Sequence, residues 1–356
     1  MTEKEITEWL REVVHPGKGD RDIVSLGMVD QVHVDGGKVS IVLGFTNHKD
    51  PLEGYLLGAA RAAVYRHAPK GTEVEAKSIV REAPKPKQMN SLQALGLEAV
   101  RNVRHIIGVA SGKGGVGKST VAVNLAIALS RLGYKVGLAD ADVYGPSVPL
   151  MTGTVGTTPD VEEQEDGVQM ILPVEKYGVK WMSIGYFAPS DQALIWRGPM
   201  ASNALKQMIL QVKWDVLDFL LIDMPPGTGD IHISLVQDIP MEGAVVVTTP
   251  QAVATADVDK SINMFVNENV HKKVFGIVEN MSWFTPAELP DNKYFIFGKG
   301  GGEALAGKYH VPLLGQIPIV QSVREAGDAG TPAALSDSSE GKAFISLAET
   351  LAKIAG

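Results

Sequence analysis

The sequence predicts an α/β protein in two units: a doubly wound, mostly parallel sheet over residues 104–356, preceded by a small α/β domain over 1–82. Three observations carry this expectation. The chain has 356 residues, more than the ~100–200 typical of one domain. From Arg104 onward, short apolar runs alternate with helical patterns, the rhythm of βαβ units. Between the two parts, Ala83-Pro84-Lys85-Pro86-Lys87-Gln88 has two prolines, charge and no periodicity, which predicts a semi-rigid linker over 83–103.

In the first unit, Ile6, Leu10, Val13 and Val14 recur at helical spacing. Val32 and Val34 alternate with polar neighbours before Asp35-Gly36-Gly37, and Val39, Ile41 and Leu43 resume the alternation, as a hairpin does. Residues 52–65 read as a helix and 72–80 as a further strand. In the second unit the runs at 106–110, 136–139, 219–222, 244–247 and 274–278 are short and almost wholly apolar. Strands covered by helices on both faces have this composition.

Composition excludes several function classes. Thirty-three Lys+Arg against forty-one Asp+Glu leave a net charge of −8, without the basic footprint of a nucleic-acid binder. The first ten residues mix acids with apolar side chains and lack the apolar core of a secretory signal. No window reaches the ~18 consecutive apolar residues of a membrane span, so a cytoplasmic protein without membrane partners is expected. There is no cysteine, hence no disulfide, thiolate metal site or cysteine nucleophile.

The chemistry centres on Gly112-Lys113-Gly114-Gly115-Val116-Gly117-Lys118-Ser119, which satisfies G-x-x-x-x-G-K-[ST]. An expected strand precedes it and an expected helix from Lys118 to Leu132 follows. The glycines let backbone N–H groups close around phosphate oxygens, and the helix N-terminus adds partial positive charge. Lys118 would bridge the β- and γ-phosphates of ATP, with Thr120 in the same cradle, and Ser119 would offer its hydroxyl to Mg²⁺. Asp140-Ala141-Asp142 ends one strand. One of these carboxylates can face Mg²⁺ or the attacking water while the other orients it; alternatively both are loop caps. Asp223 closes the run 219–222 and suits the metal-side carboxylate of a Walker B strand. Pro225-Pro226-Gly227-Thr228-Gly229-Asp230 follows, where a nucleotide-sensing switch would sit.

Lys113, directly after the first glycine, gives the deviant Walker A form and resembles the dimerising ATPases related to MinD, ParA and the nitrogenase iron protein. That resemblance implies a homodimer in which Lys113 reaches the phosphates held by the partner; a solvated loop lysine is the alternative. The succession S-G-K-G-G-V-G-K-S-T, D-A-D-V-Y-G-P-S, W-R-G-P-M, D-M-P-P-G-T-G-D, V-V-T-T-P-Q and E-N-M-S is similar to the Mrp/ApbC family of P-loop NTPases. Residues 1–82 resemble the small iron–sulfur-assembly domain fused in front of such ATPases, through His15-Pro16, Ile23 to Gly27 and the hairpin.

The resemblance implies ATP-dependent carriage of an iron–sulfur cluster to apoprotein or assembly-factor clients. It makes Lys113, Lys118, Asp142 and Asp223 the catalytic set and Ser119, Asp142 and Asp223 the Mg²⁺ ligands. It places Asn280 on the adenine edge and Pro318 near the base. It also implies a [4Fe–4S] cluster shared through C-x-x-C pairs of two subunits. Here Pro286 and Leu289 occupy those two positions, and Asp50-Pro51 stands where the small domain commonly has cysteine before proline. No thiolate-held cluster is therefore expected on this protein alone. The eight histidines form no H-x-x-H or H-x-x-x-H pair, and Glu288 is a lone carboxylate.

Two further readings compete with this one: a ParA/MinD-like positional switch, and an ATP-gated interaction protein that has lost cluster binding. Phe344, Leu347, Leu351 and Ile354 form a helical stripe with only Lys342 and Lys353 as cations, which predicts core packing over a membrane tail. Gly298-Lys299-Gly300-Gly301-Gly302 lacks the G-K-[ST] ending and reads as a flexible loop. Met200, Met208 and Met241 read as core. Trp283, Phe284, Leu289, Tyr294 and Phe295 make 282–297 a candidate contact surface.

Overall fold

A computed structural model describes residues 1–16, 21–45, 52–80, 97–164, 167–187, 198–267, 270–286 and 288–356. The chain divides into two compact units, Met1–Met89 and Asn90–Gly356. Asp50-Pro51, most of the linker and the Trp196-Arg197 pair lie outside the described residues.

The first unit is a three-stranded sheet in the order β1-β2-β3, formed by Val29–Asp35, Lys38–Phe45 and Glu73–Val80. The expected hairpin joins β1 to β2 through Gly36 and Gly37, at φ 50° and 97°. Positive φ at both central positions is the type I′ requirement that glycine meets at least cost. Strand β3 returns parallel to β2 after the helix Glu53–His67. Ile6 and Leu10 of the first helix close a small core with Ile41, Leu43, Leu56 and Ala60, whereas Val14 is exposed.

The second unit contains β4 (Val103–Ser111), β5 (Val136–Asp140), β6 (Val161–Glu163), β7 (Gln169–Ile171), β8 (Val174–Lys176), β9 (Val179–Ser183), β10 (Leu217–Asp223), β11 (Gly243–Thr248), β12 (Lys273–Phe284) and β13 (Leu313–Ile319). Eight of them form one sheet in the order β13-β12-β11-β4-β10-β5-β9-β8. All neighbours are parallel except the edge pair β8–β9. The five expected strands are present. Strands β9 and β13 extend the sheet beyond them, and residues 97–103, read as linker, form a 3₁₀ turn and the start of β4.

Alternate residues of each central strand feed opposite cores. Ile106, Leu220 and Val246 face one side with the helices Gly198–Leu210, Asp230–Asp238 and Ala252–Val266. Ile107, Leu221 and Val247 face the other with Lys118–Arg131 and Ser339–Ala355. Both faces are dry, which explains the unbroken apolar runs. The connection after β4 runs past β10 to β5 and the connection after β10 runs back past β4 to β11, so the crevice beyond the carboxyl ends of β4 and β10 is the topological switch point where doubly wound folds bind ligands.

The carboxyl-terminal stripe is core: Phe344, Leu347 and Leu351 are buried against the helix Lys118–Arg131. The reading of Met200 as core is corrected, because it is exposed near the start of its helix while Met208 and Met241 are buried. Gly298 to Gly302 is likewise not a free loop. Gly300 caps the helix Gly301–Tyr309, and a Cβ on Gly301 would stand 2.5 Å from the Pro250 carbonyl oxygen. Among the described residues no helix is long and apolar enough to cross a membrane.

Replacing Phe344 by Ala empties a fully buried site and should lower unfolding free energy by about 3–5 kcal/mol. Urea denaturation checks this; a loss under 1 kcal/mol would place the stripe outside the core.

Candidate nucleotide site

Strand β4 delivers the glycine loop to the carboxyl edge of the sheet, and Gly117, at φ 81°, turns it into the helix beginning at Lys118. Two glycines are sterically required. A Cβ on Gly112 would stand 2.4 Å from the backbone of Asp257, where the helix Ala252–Val266 crosses the loop, and one on Gly117 would stand 2.3 Å from Nδ2 of Asn280. By contrast, Gly114 and Gly115 are exposed and open to an arriving group. No side chain caps the helix, so its first N–H groups remain available to phosphate oxygens.

Lys118 is buried and its Nζ donates to Oδ1 of Asp223 at 2.5 Å and to Oγ of Ser119 at 3.1 Å. Oδ2 of Asp223 is buried with no hydrogen-bond partner among the described residues. An orphan carboxylate oxygen next to the Ser119 hydroxyl offers two of the oxygen ligands that Mg²⁺, a hard cation, would take, the rest of its octahedral shell coming from water and phosphate. Asp223 stands opposite Asp140 across the β10–β5 pair, and both carboxylates are fully buried. Burial and the Asp223 charge push the Asp140 carboxyl up to about 7, against the pull of Lys118 and the Ser183 hydroxyl. Burial also raises Asp223, and the Lys118 ammonium opposes it.

The two aspartates of the D-A-D segment separate in role. Asp140 lies beside Asp223 on the neighbouring strand, and the Asp142 charge also bears on Asp223. Oδ2 of Asp140 accepts from Oγ of Ser183 at 2.9 Å and from N–H of Val148 at 3.3 Å, and its Oδ1 accepts from N–H of Asp142 at 3.2 Å. Asp140 thus shapes the loop that presents Asp142, which is partly buried and accepts from N–H of Tyr144 at 3.2 Å. Lys113 is partly exposed and makes no ion pair among the described residues; its carbonyl accepts from Oγ of Ser111 at 3.0 Å.

Beside the loop lies a largely apolar cavity of about 290 Å³, lined by Gly117, Thr120, Asn280, Met281, Phe297 and Pro318 among others. Asn280 Nδ2 donates to the Val116 carbonyl at 2.8 Å. That bond fixes the amide, leaving Oδ1 as the group to accept from an exocyclic amine. The structure therefore brings Asn280 and Pro318 together in the lining of one cavity.

His232, from the helix after the Pro225–Gly229 turn, is absent from the expected site. It is buried, its ring bonds the Pro225 backbone, and Nε2 has no partner. Burial and the nearby Lys118 charge lower it to about 4, so it is neutral at pH 7. Nothing in the spacing of G-T-G-D-I-H marks it; only its burial against the switch turn does.

A glycine loop at the switch point, a buried lysine at its end and paired carboxylates on neighbouring strands define a P-loop nucleotide-binding unit. Residues 102–352 match the family described as NUBPL iron-transfer P-loop NTPase, and residues 3–77 match the iron–sulfur cluster assembly protein family. The chain belongs to this iron-transfer P-loop NTPase family. The iron–sulfur cluster carrier protein of Synechocystis is 42% identical over 354 residues, 99% of this chain and 97% of that one. The protein of the same name from Aquifex aeolicus is 52% identical over 259 residues, covering 72% and 69% of the two chains. Among solved structures, a nucleotide-binding protein of Archaeoglobus fulgidus in complex with ADP is 35% identical, with a TM-score of 0.58 over 67% of this chain and 91% of that one. The cell-division ATPase MinD of Pyrococcus furiosus is 27% identical, with a TM-score of 0.50 over 71% and 100%.

The depressed His232 gives a pH signature. A folded pKa of about 4 against 6.5 unfolded means that its contribution is present above 6.5 and is lost as pH falls toward 4. His232→Asn, which keeps a donor for Pro225, should lose less stability than the wild type between pH 6.5 and 4 in denaturant titrations. Parallel losses would show that His232 is not buried neutral.

Proposed function

We propose that the protein is an Mg²⁺-dependent ATPase that acts as a homodimeric switch in iron–sulfur cluster assembly or transfer. The observation that carries this reading is the contact of Lys118 with Asp223 beside the orphan Oδ2 and Ser119. When ATP enters, its β/γ-phosphates offer Lys118 a new anionic partner, and the backbone N–H groups of 112–119 close around them. Asp223 is then released from Lys118, and with Ser119 it would hold Mg²⁺, which supplies positive charge to the phosphate oxygens. Asp142, presented by Asp140, orients the attacking water. Lys113 extends to the nucleotide of the second copy, so ATP closes the dimer and hydrolysis opens it. A small domain over 1–82 and an ATPase domain over 104–356, joined by a segment that begins at residue 83, belong to the same proposal.

The cluster is cargo in this scheme, and the donor set does not fit one held by this chain alone. The sequence has no cysteine, and among the described residues no group of three or more His, Asp or Glu could hold a metal ion. Iron–sulfur clusters are held chiefly by thiolates. Pro286 and Leu289, in place of the cysteines, are joined instead by a backbone hydrogen bond of 3.1 Å in the turn of a hairpin. We infer that cluster ligands come from clients or assembly factors, and that this chain contributes the ATP-gated contact.

Three measurements test this reading. Lys118→Ala removes the charge at the phosphates and should weaken Mg²⁺–ATP binding at least tenfold in calorimetry, about 1.4 kcal/mol; undiminished affinity rejects the assignment. Lys113→Ala should weaken the dimer seen by light scattering with a non-hydrolysable ATP analogue more than it weakens nucleotide binding. An ATP-independent dimer that ignores the substitution contradicts action in trans. Anaerobic reconstitution of the isolated protein with iron and sulfide should leave no stoichiometric [4Fe–4S] signal by Mössbauer spectroscopy; such a signal would mean that the protein supplies ligands of its own.

A further inference from the structure

The hairpin at the end of β12 leaves and re-enters the ATPase unit at the base cavity. Phe284 and Tyr294 close it with reciprocal backbone hydrogen bonds, both 2.8 Å. Its outer part exposes Leu289, Tyr294, Phe295 and Ile296. On the outgoing side stands Met281, a non-glycine residue at φ 55°, where the β12–β13 register breaks between Asn280 and Phe284. A left-handed backbone at a residue other than glycine is strained, and such strain persists only where surrounding contacts impose it. The Met281 side chain reaches the phosphate loop, its Cε 3.8 Å from the position a Cβ on Gly117 would take. On the returning side stands Phe297. Met281 and Phe297 both line the cavity assigned to the base.

The rest of the hairpin base is fastened. Glu279, buried, accepts from N–H of Gly302 at 2.6 Å and from Nε2 of Gln316 at 2.8 Å, and its carbonyl accepts from Oγ of Ser282. These bonds tie the returning chain to β12 and β13. Of the side chains that line the cavity, Met281 and Phe297 are those that stand at the hairpin's two ends.

We propose that Met281 and Phe297 are positioning residues that couple occupancy of the base cavity to the conformation of the hairpin 283–296. The inference rests on the reading of that cavity as the base site. A base contacts both residues only when bound, which is the differential interaction that a conformational shift requires. The hairpin occupies the segment where the family resemblance puts cluster cysteines, so in this cysteine-free chain nucleotide state reaches the same surface through packing. Linkage makes the coupling reciprocal: a partner bound to the hairpin changes ADP affinity by the factor that ADP changes its own.

Trp283 is the reporter, since Lys293 Nζ stands 3.9 Å from its ring centroid and a shift of the hairpin alters that contact. The full chain is titrated with ADP and with inorganic pyrophosphate, and the emission of Trp283 is taken as the difference between the wild type and Trp283→Phe. ADP should shift this emission and slow amide exchange in 288–296, whereas pyrophosphate, which fills only the phosphate loop, should do neither. Phe297→Ala at saturating ADP should lose the shift; Phe297→Leu, which keeps an apolar side chain in the cavity, guards against a misfolded Ala variant and should retain part of it. If ADP binds more tightly than pyrophosphate, Asn280→Ala weakens ADP, and Trp283 and the exchange stay silent, the coupling is overturned while the base site stands. If ADP binds no more tightly than pyrophosphate and Asn280→Ala changes nothing, the base-site reading fails and this inference fails with it.

Discussion

The ATPase unit is organised around a buried lysine–carboxylate contact. Lys118 and Asp223 are both withdrawn from water, and a second fully buried carboxylate, Asp140, stands on the adjacent strand. Burying an ion costs several kcal/mol unless a partner and hydrogen bonds compensate. Burial first, and then the Asp223 charge, push Asp140 up to about 7 because one ammonium compensates two carboxylates incompletely, and Oδ2 of Asp223 has no hydrogen-bond partner among the described residues. The site is short of positive charge. In the proposed cycle, a nucleotide that took Lys118 away would create a demand that a divalent cation beside Asp223 and Ser119 would meet.

The fold follows from that constraint. Strands β5, β4 and β10 must be neighbours for Asp140, the phosphate loop and Asp223 to meet, and parallel strands bring all three carboxyl ends to one edge. Gly112 lets the helix Ala252–Val266 press on the loop, and Gly117 lets Asn280 reach it from β12. The glycine loop and Asn280 are thereby tied by direct contact, and Glu279 fastens the following segment to the same frame. The hairpin that replaces a cysteine-bearing loop is thus anchored to the nucleotide site rather than appended to it.

Much of this was legible from residue order. The phosphate loop, the doubly wound sheet and the Asn280–Pro318 neighbourhood follow from motif spacing and from runs that must be buried on both faces. Strand β13 escaped because Leu313-Leu314-Gly315-Gln316-Ile317-Pro318-Ile319 carries a glycine and a proline that break a strand pattern, and proline is tolerated there because β13 is an edge. The division of labour between Asp140 and Asp142 was illegible, since it depends on Ser183 and Val148 arriving from elsewhere in the fold. His232 was missed for the same reason: its isolation is tertiary. Met200 misled because an apolar residue at a helix start has no periodicity to say which way it faces.

We propose the Lys118–Asp223 contact as the resting state of a nucleotide switch. A crystal structure of the protein with Mg²⁺ and a non-hydrolysable ATP analogue tests it most directly. Lys118 Nζ is expected on the β/γ-phosphate oxygens, with Asp223 separated from it and turned toward the metal side, and the base against Asn280. A complex in which the nucleotide is bound while Lys118 remains on Asp223 would contradict it.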